Sequence, residues 1–214
     1  MARKSSPFER KKPSLKPQPR VLVICEDTKS SLQYLKDAAH HFRAYAEVDI
    51  VHCGKNDPFG IVEEAIERQK NFDHVYCVID RDADKKFDKA LNLAKLHEKK
   101  ISLIASYPCY EFWLLLHFQK NRKPYIGVGK DSSGDLLVKD LCKVKGMENY
   151  AKGSSENLFD QLLENLPKAR KFAAQVMQEA LNDGEWNPST RLHELIEKFE
   201  RLGTPEPIRR DGQA

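Results

Sequence analysis

Short apolar runs alternate with amphipathic stretches in the first half of the chain. Between the runs, apolar residues recur at helical spacing, as at Leu32, Leu35 and Ala39. Strands that alternate with helices predict an α/β fold with a mostly parallel four-stranded sheet. The four predicted strands are residues 21–25, 48–51, 75–79 and 101–104.

The alternation stops after residue 106, and the rest of the chain is predicted to be helical. Asn187-Pro188-Ser189-Thr190 would end one helix and cap the next. The predicted domains are an α/β core over residues 20–120, a helical extension over 121–205 that packs on it, and a frayed tail over 206–214. Apolar spacing predicts helices within residues 110–118, 136–141, 158–163, 169–181 and 192–199.

Charge separates the first twenty residues from the rest. The chain has 214 residues and a net charge of +4. Residues 1–20 hold seven of the 36 basic side chains and one of the 32 acidic ones, so the remainder is slightly acidic. This proline-rich segment has too few apolar side chains to fold alone. We predict a disordered basic tail over residues 1–19, which would add salt-sensitive, sequence-independent binding to nucleic acid.

Composition excludes a membrane protein. Charged residues make up 32% of the chain, and no apolar run approaches the ~20 residues that cross a bilayer. No signal peptide is visible, and the five cysteines form no Cys-x-x-Cys pair. We therefore expect a cytoplasmic protein with reduced thiols.

Acidic residues directly follow the first and third predicted strands. Glu26 ends the first apolar run, and Asp80 and Asp82 end the third. The carboxyl ends of parallel strands form the ligand-binding edge of such sheets, so these carboxylates should converge if the strands are neighbours. Ligand sets made only of oxygen favour Mg²⁺ or Mn²⁺. The pattern predicts a metal site for phosphoryl transfer, although acidic clusters also occur at solvated helix N-termini.

This arrangement, a Glu after one strand and Asp-x-Asp after another, is similar to the Toprim domain over about residues 20–106. The resemblance implies a Toprim-like Rossmannoid core. It also implies that Glu26 is a general acid/base or metal ligand and that Asp80 and Asp82 bind the metal. The sequence departs from the family pattern at Cys25, since Toprim sequences often have a Gly near the first Glu.

One carboxylate, Glu111, interrupts the otherwise apolar residues 106–118. A buried carboxylate without a partner is costly, so Glu111 is predicted as a further catalytic and metal-binding residue. The alternative is that it caps its own helix or pairs with a lysine. Lys145 and Lys152 are predicted as weak nucleic-acid contacts, the alternative being ordinary surface lysines. His117 is expected to be a packed side chain.

The Glu111-containing block, together with residues 187–190, resembles the RloB family of bacterial phage-resistance proteins, of the RloB/AbiLii type. The resemblance covers most of the chain outside the tail. It implies a Toprim-like nuclease fold and a role in abortive infection. It also implies an ABC-type ATPase partner that resembles RloA or AbiLi.

These observations favour a divalent-metal-dependent nuclease that cleaves DNA or RNA. The alternative is a non-catalytic docking subunit of the ATPase. A phosphoacceptor receiver domain is disfavoured by Asp82 and by the lack of a clear fifth strand ending in Lys. Dinucleotide binding is disfavoured because the turn after the first strand has no glycine. The sequence leaves homo-oligomerisation open.

Overall fold

The protein is built on a five-stranded sheet. The computed structural model describes residues 15–44, 46–81, 86–153, 157–204 and 206. The sheet order is β2-β1-β3-β4-β5; the first four strands are parallel and β5 is antiparallel to β4. This arrangement confirms the predicted α/β class. The strands are β1 (Val21–Cys25), β2 (Val48–His52), β3 (His74–Asp80), β4 (Ile101–Tyr107) and β5 (Ser189–Thr190).

Every helical segment predicted from apolar spacing overlaps a helix. The α2 helix begins where expected from its sequence, since the Asp57 side chain accepts a hydrogen bond from the Gly60 amide (3.1 Å) and Pro58 occupies the first turn. The helices are α1 (Ser30–His41), α2 (Pro58–Arg68), α3 (Lys86–Lys95), α4 (Glu111–Leu116), α5 (Ser133–Leu141), α6 (Leu158–Leu162), α7 (Leu166–Asp183) and α8 (Leu192–Leu202).

The sheet is covered on both faces, which explains why its central strands are apolar throughout. In β1, Leu22 and Ile24 join the cluster formed with α2 and α3. Val21, Val23 and Cys25 alternate with them and join the cluster on the opposite face, with α1 and the later helices. A strand whose side chains point alternately to two buried layers has no polar face.

The second layer is organised around α4, whose six residues are all buried. Trp113 is fully buried and belongs to the same cluster as Tyr34 of α1 and Phe159 of α6. Phe199 of α8 also joins this cluster. The helices that follow β4 therefore share one hydrophobic core with the sheet.

The fifth strand is a correction to the four-stranded prediction. Ser189 and Thr190 pair with Tyr107 and Ser106 at the end of β4. The Thr190 hydroxyl also accepts a hydrogen bond from the Leu192 amide (3.3 Å). The predicted capping residue is nevertheless wrong, because Arg191 is the N-cap of α8 and its side chain makes no capping hydrogen bond. A strand of two residues is too short to show a periodic pattern in the sequence.

Most of both predicted tails lies outside the described residues, namely 1–14 and 207–214. Where each tail meets the described part, Lys16 Nζ lies 2.8 Å from a carboxylate oxygen of Glu206. The Lys16 amide also donates a hydrogen bond to the Glu206 carbonyl (3.0 Å). The two ends of the described chain therefore meet.

Candidate functional site

Strand pairing brings Glu26 and Asp80 together. Parallel β1 and β3 pair Cys25 with Val78, and the Glu26 amide extends this ladder by donating to the Val78 carbonyl (3.0 Å). The Asp80 amide in turn donates to Oε2 of Glu26 (2.8 Å). The Glu26 side chain therefore reaches across to the next strand, and both carboxylates lie at the carboxyl edge of the sheet.

The Asp80 carboxyl occupies an electrostatically unfavourable position. Burial raises its pKa well above the ordinary value, and the negative charges of Glu111, Glu26 and Asp27 raise it further. Lys152 opposes these effects without cancelling them. Asp80 therefore lies in a region of concentrated negative charge, and strongly shifted carboxyl groups of this kind are common at functional sites.

The carboxylate of Glu111 is buried, with 3% of the residue exposed, and both of its oxygens have protein partners. The Tyr150 hydroxyl donates to Oε1 (3.1 Å), and Nζ of Lys152 lies 3.8 Å from Oε2. Burial raises the pKa of the neighbouring Cys109 thiol well above its usual value, with added effects from Glu111 and Asp80. The thiol is therefore protonated and is not a nucleophile.

The Lys152 side chain lies between the buried acids and solvent, with 53% of it exposed. Partial burial lowers its pKa, but the negative charges nearby, that of Glu111 first, outweigh this effect, so the pKa lies above its ordinary value. The Lys152 ammonium group is therefore positively charged and accessible to a ligand. It lies beside Glu111 and Asp80, which together with Glu26 we call the acid cluster.

A cavity of about 220 Å³ lies between the start of α1 and the acid cluster. Asp27 shapes this helix start, since its carboxylate accepts hydrogen bonds from the amides of Lys29 (2.7 Å) and Ser31 (2.8 Å). The Ser30 hydroxyl accepts a hydrogen bond from the Gly153 amide (2.9 Å), which fixes the loop that carries Lys152. The cavity is lined by Asp27, Thr28, Lys29, Ser30, Asp80, Tyr110, Glu111, Lys152 and Gly153.

The predicted site residues divide into three groups. Glu26, Asp80, Glu111 and Lys152 are linked by the contacts above. Lys145 is exposed and is not among the residues that line the cavity. Asp82 lies outside the described residues, so its predicted role is not described. Among the residues that are described, no three or more His, Cys, Asp or Glu side chains form a group that could hold a metal ion.

Sequence reasoning missed two tyrosines at this site. Tyr150 contacts Glu111, and Tyr110 lines the cavity with a buried hydroxyl that has no hydrogen-bond partner in the described chain. The only available signal was their position next to Glu111 and Lys152 along the chain. Aromatic residues in apolar surroundings are usually core residues, and nothing in the pattern distinguishes these two.

His117 packs in the core, as expected. Its Nδ1 lies 3.0 Å from the Trp113 carbonyl, and its Nε2 lies 3.2 Å from the Tyr34 hydroxyl. Burial lowers the pKa of His117 to about 4. A neutral imidazole that donates from Nδ1 and accepts from Tyr34 satisfies both contacts, so this histidine has a structural role.

The fold and the site define a class: a Rossmann-like α/β protein with a carboxylate cluster at the carboxyl edge of its parallel strands. The chain belongs to the RloB-like family, described as RloB-like protein, whose match covers residues 21–199 and so includes the whole sheet and site. Comparison with curated proteins and with solved structures gives no match. In the part of the chain that the structure describes, no helix is long and apolar enough to cross a membrane.

Proposed function

We propose that the protein is a divalent-metal-dependent nuclease that acts in bacterial defence against phage. The observation that carries this proposal is the hydrogen-bonded pair of Glu26 and Asp80 at the edge of the sheet, with Glu111 adding to the negative charge around Asp80. Membership of the RloB-like family is consistent with a defence-associated protein. The resemblance to Toprim domains supports the choice of phosphodiester chemistry.

The chemistry of these side chains fits Mg²⁺ or Mn²⁺. Mg²⁺ commonly binds through one or two carboxylates, with water and substrate phosphate oxygens as its other ligands. Glu26 and Asp80 can supply this protein contribution, and Asp82 follows two positions after Asp80 in the sequence. When bound, such a cation supplies Lewis acidity and lowers the pKa of water. It would also relieve the repulsion that raises the pKa of Asp80.

Lys152 is suited to contact a phosphate oxygen. Its ammonium group is charged, half exposed and held 3.8 Å from Glu111 at the cavity. A fixed cation at this point would stabilise negative charge that develops on the phosphate. Because both oxygens of Glu111 face protein partners, we propose that Glu111 is a positioning residue for Lys152. Metal binding by Glu111 stays a prediction from the sequence.

The resemblance to the RloB/AbiLii type extends the proposal to a partner. We propose that the nuclease works with an ABC-type ATPase resembling RloA or AbiLi, in abortive infection. This part of the proposal depends on the resemblance.

The test is cleavage of single-stranded and duplex DNA and RNA by the purified full chain, with Mg²⁺, Mn²⁺ or a chelator. We expect cleavage with metal only, and a loss of about 100-fold or more in Asp80→Asn and Glu26→Gln. Asp49→Asn is the matched control, since this exposed aspartate lies on β2 and pairs only weakly with Arg20 (3.4 Å). Wild-type cleavage by the site variants would exclude this assignment.

Lys152→Met and Glu111→Gln test the positioning role. If Glu111 acts through Lys152, the double variant should lose no more activity than Lys152→Met alone, because the two effects are not additive. Metal affinity should not fall in Lys152→Met, since this change removes a positive charge near Asp80. A loss of metal affinity in Glu111→Gln would instead favour its role as a ligand.

A non-catalytic docking subunit is the second candidate function. It is the alternative that the sequence left open. A docking subunit should show no stabilisation by Mg²⁺ or Mn²⁺ and no cleavage in the same assay.

A further inference from the structure

A second, larger cavity of about 810 Å³ adjoins the smaller cavity at the acid cluster, which we call the acid site. Thr28, Lys29 and Gly153 line both cavities, so the two spaces are adjacent at the start of α1. We call this larger cavity the amide groove. Its wall on the side away from the smaller cavity is formed by residues 146–150 and by the start of α6. A ligand that extends beyond the acid site on this side of the molecule would meet the amide groove.

The amide groove is polar but has almost no net charge. Its charged lining residues are Lys29 and Glu148, which have opposite signs. Grooves that follow a phosphate backbone are positively charged, and this one is not. Its lining includes four side-chain amides, each with a donor and an acceptor group: Gln33, Asn149, Asn157 and Gln161.

Side-chain amides and an aromatic ring are the groups that recognise nucleobases. Side-chain amides can hydrogen-bond to the Watson–Crick edges of unpaired bases, and aromatic rings stack on base faces. The groove offers the half-buried Tyr150 and the buried Met147 beside the amides. Its volume lies in the range of small-molecule sites, ~300–1,000 Å³.

Tyr150 connects the groove to the acid site directly. The residue lines the groove, and its hydroxyl donates to Oε1 of the buried Glu111 (3.1 Å). Glu111 in turn holds Lys152 at the smaller cavity. A ligand that contacts Tyr150 therefore lies one side chain away from the group proposed to meet the phosphate.

We propose that the amide groove binds one unpaired nucleobase next to the phosphate held at the acid site, so that the substrate is single-stranded nucleic acid. This inference deepens the nuclease proposal and depends on it for the position of the phosphate. In a duplex, the pairing edges of the bases are occupied and cannot meet the amides. An unpaired strand can turn one base into the groove.

The experiment uses the full chain carrying Asp80→Asn, which prevents cleavage during the measurement. Fluorescence anisotropy gives the affinity for a labelled RNA oligonucleotide, for the same strand annealed to its complement, and for the two DNA equivalents. The groove variants Asn149→Leu and Gln161→Leu replace exposed amides. Asn92→Leu on α3 and Gln175→Leu on α7 are matched controls, since both are exposed and neither lines the groove.

We expect the single strand to bind about ten-fold tighter than the duplex, as one base stacked and hydrogen-bonded in a site predicts. Each groove variant should weaken single-strand binding by about ten-fold and leave duplex binding unchanged. The controls should behave like the parent protein. Asn149→Asp serves as a second groove variant, because it keeps the size of the side chain and removes its donor group.

Equal affinity for single strand and duplex, or groove variants that bind like the controls, would overturn the inference. The nuclease proposal fails separately: wild-type protein that cleaves nothing with any metal, yet keeps the strand preference, would retain the base site and exclude the nuclease. If wild type and groove variants alike cleaved both strand forms at equal rates, the nuclease proposal would be retained and the base site excluded.

Discussion

Replacing Asp80 by asparagine is predicted to stabilise the metal-free protein. Most substitutions of partly buried residues are destabilising, so a gain would be diagnostic. Asparagine keeps the size and the acceptor oxygen of the side chain but removes its charge. The change therefore removes the repulsion between Asp80 and the neighbouring Glu111 and Glu26 carboxylates.

The sign and size follow from linkage between proton binding and folding. Burial and the nearby acids raise the pKa of Asp80 in the folded state above its unfolded value of 3.8. The folded protein therefore loses stability as pH rises from about 4 through the folded pKa, and the loss is complete above it. Each pH unit between the two pKa values corresponds to about 1.4 kcal/mol. Because the asparagine amide is desolvated at the same position, we expect a net gain of only about 1 kcal/mol at neutral pH.

Urea denaturation in a metal chelator measures this gain as a change in the free energy of unfolding. Asp49→Asn is the control, since an exposed pair of this kind contributes about 0–1 kcal/mol. The difference between Asp80→Asn and wild type should shrink as the pH falls toward 4. A variant less stable than wild type at neutral pH would mean that the charge of Asp80 is favourable in the folded protein, contrary to the crowding inferred here.

Three further predictions use the same denaturation measurement. Tyr150→Phe removes the hydroxyl that donates to buried Glu111 and should lower the free energy of unfolding by about 1–3 kcal/mol. An unchanged free energy of unfolding would mean that this hydrogen bond contributes little. His117→Gln should be less stable than wild type at neutral pH, and this difference in the free energy of unfolding should shrink as the pH falls from 6.5 to about 4. The reason is that burial lowers the pKa of His117 to about 4, so its protonation costs the wild type about 3 kcal/mol of stability in acid. Gly203→Ala should lower the free energy of unfolding by about 3 kcal/mol or more, since the alanine Cβ would lie 1.5 Å from the carbonyl oxygen of Phe42. Wild-type stability in this variant would show that the end of α8 can move away from Phe42.

The parallel part of the fold was predictable because β1 and most of β3 and β4 are buried on both faces. Apolar runs such as residues 21–25 are unambiguous when they end in a charged pair and are followed by helical spacing. The convergence of Glu26 and Asp80 followed from the same pattern, because β1 and β3 are neighbours in the sheet. The site prediction therefore depended on strand order, which the rules for α/β sheets restrict to few choices.

The contacts of Glu111 could not be predicted in the same way. Its partners Tyr150 and Lys152 are about forty residues further along the chain, on a loop without periodic pattern. What fixes that loop is the hydrogen bond from the Gly153 amide to Ser30, together with the positive φ of Gly153 (80°). Such long-range loop contacts leave no local signal. The sequence indicated that Glu111 needs a partner, and the fold selects which one.

The most direct test of the proposed site is calorimetric titration of the full chain with Mn²⁺. The proposal predicts saturable binding to wild type and to Asp49→Asn, and loss of that binding in Asp80→Asn and Glu26→Gln. Saturating metal should also stabilise the wild type by about 2.7 kcal/mol at one hundred times the dissociation constant. Wild-type protein that binds no Mn²⁺, or Asp80→Asn that binds it as tightly as wild type, would contradict a metal site at this edge of the sheet.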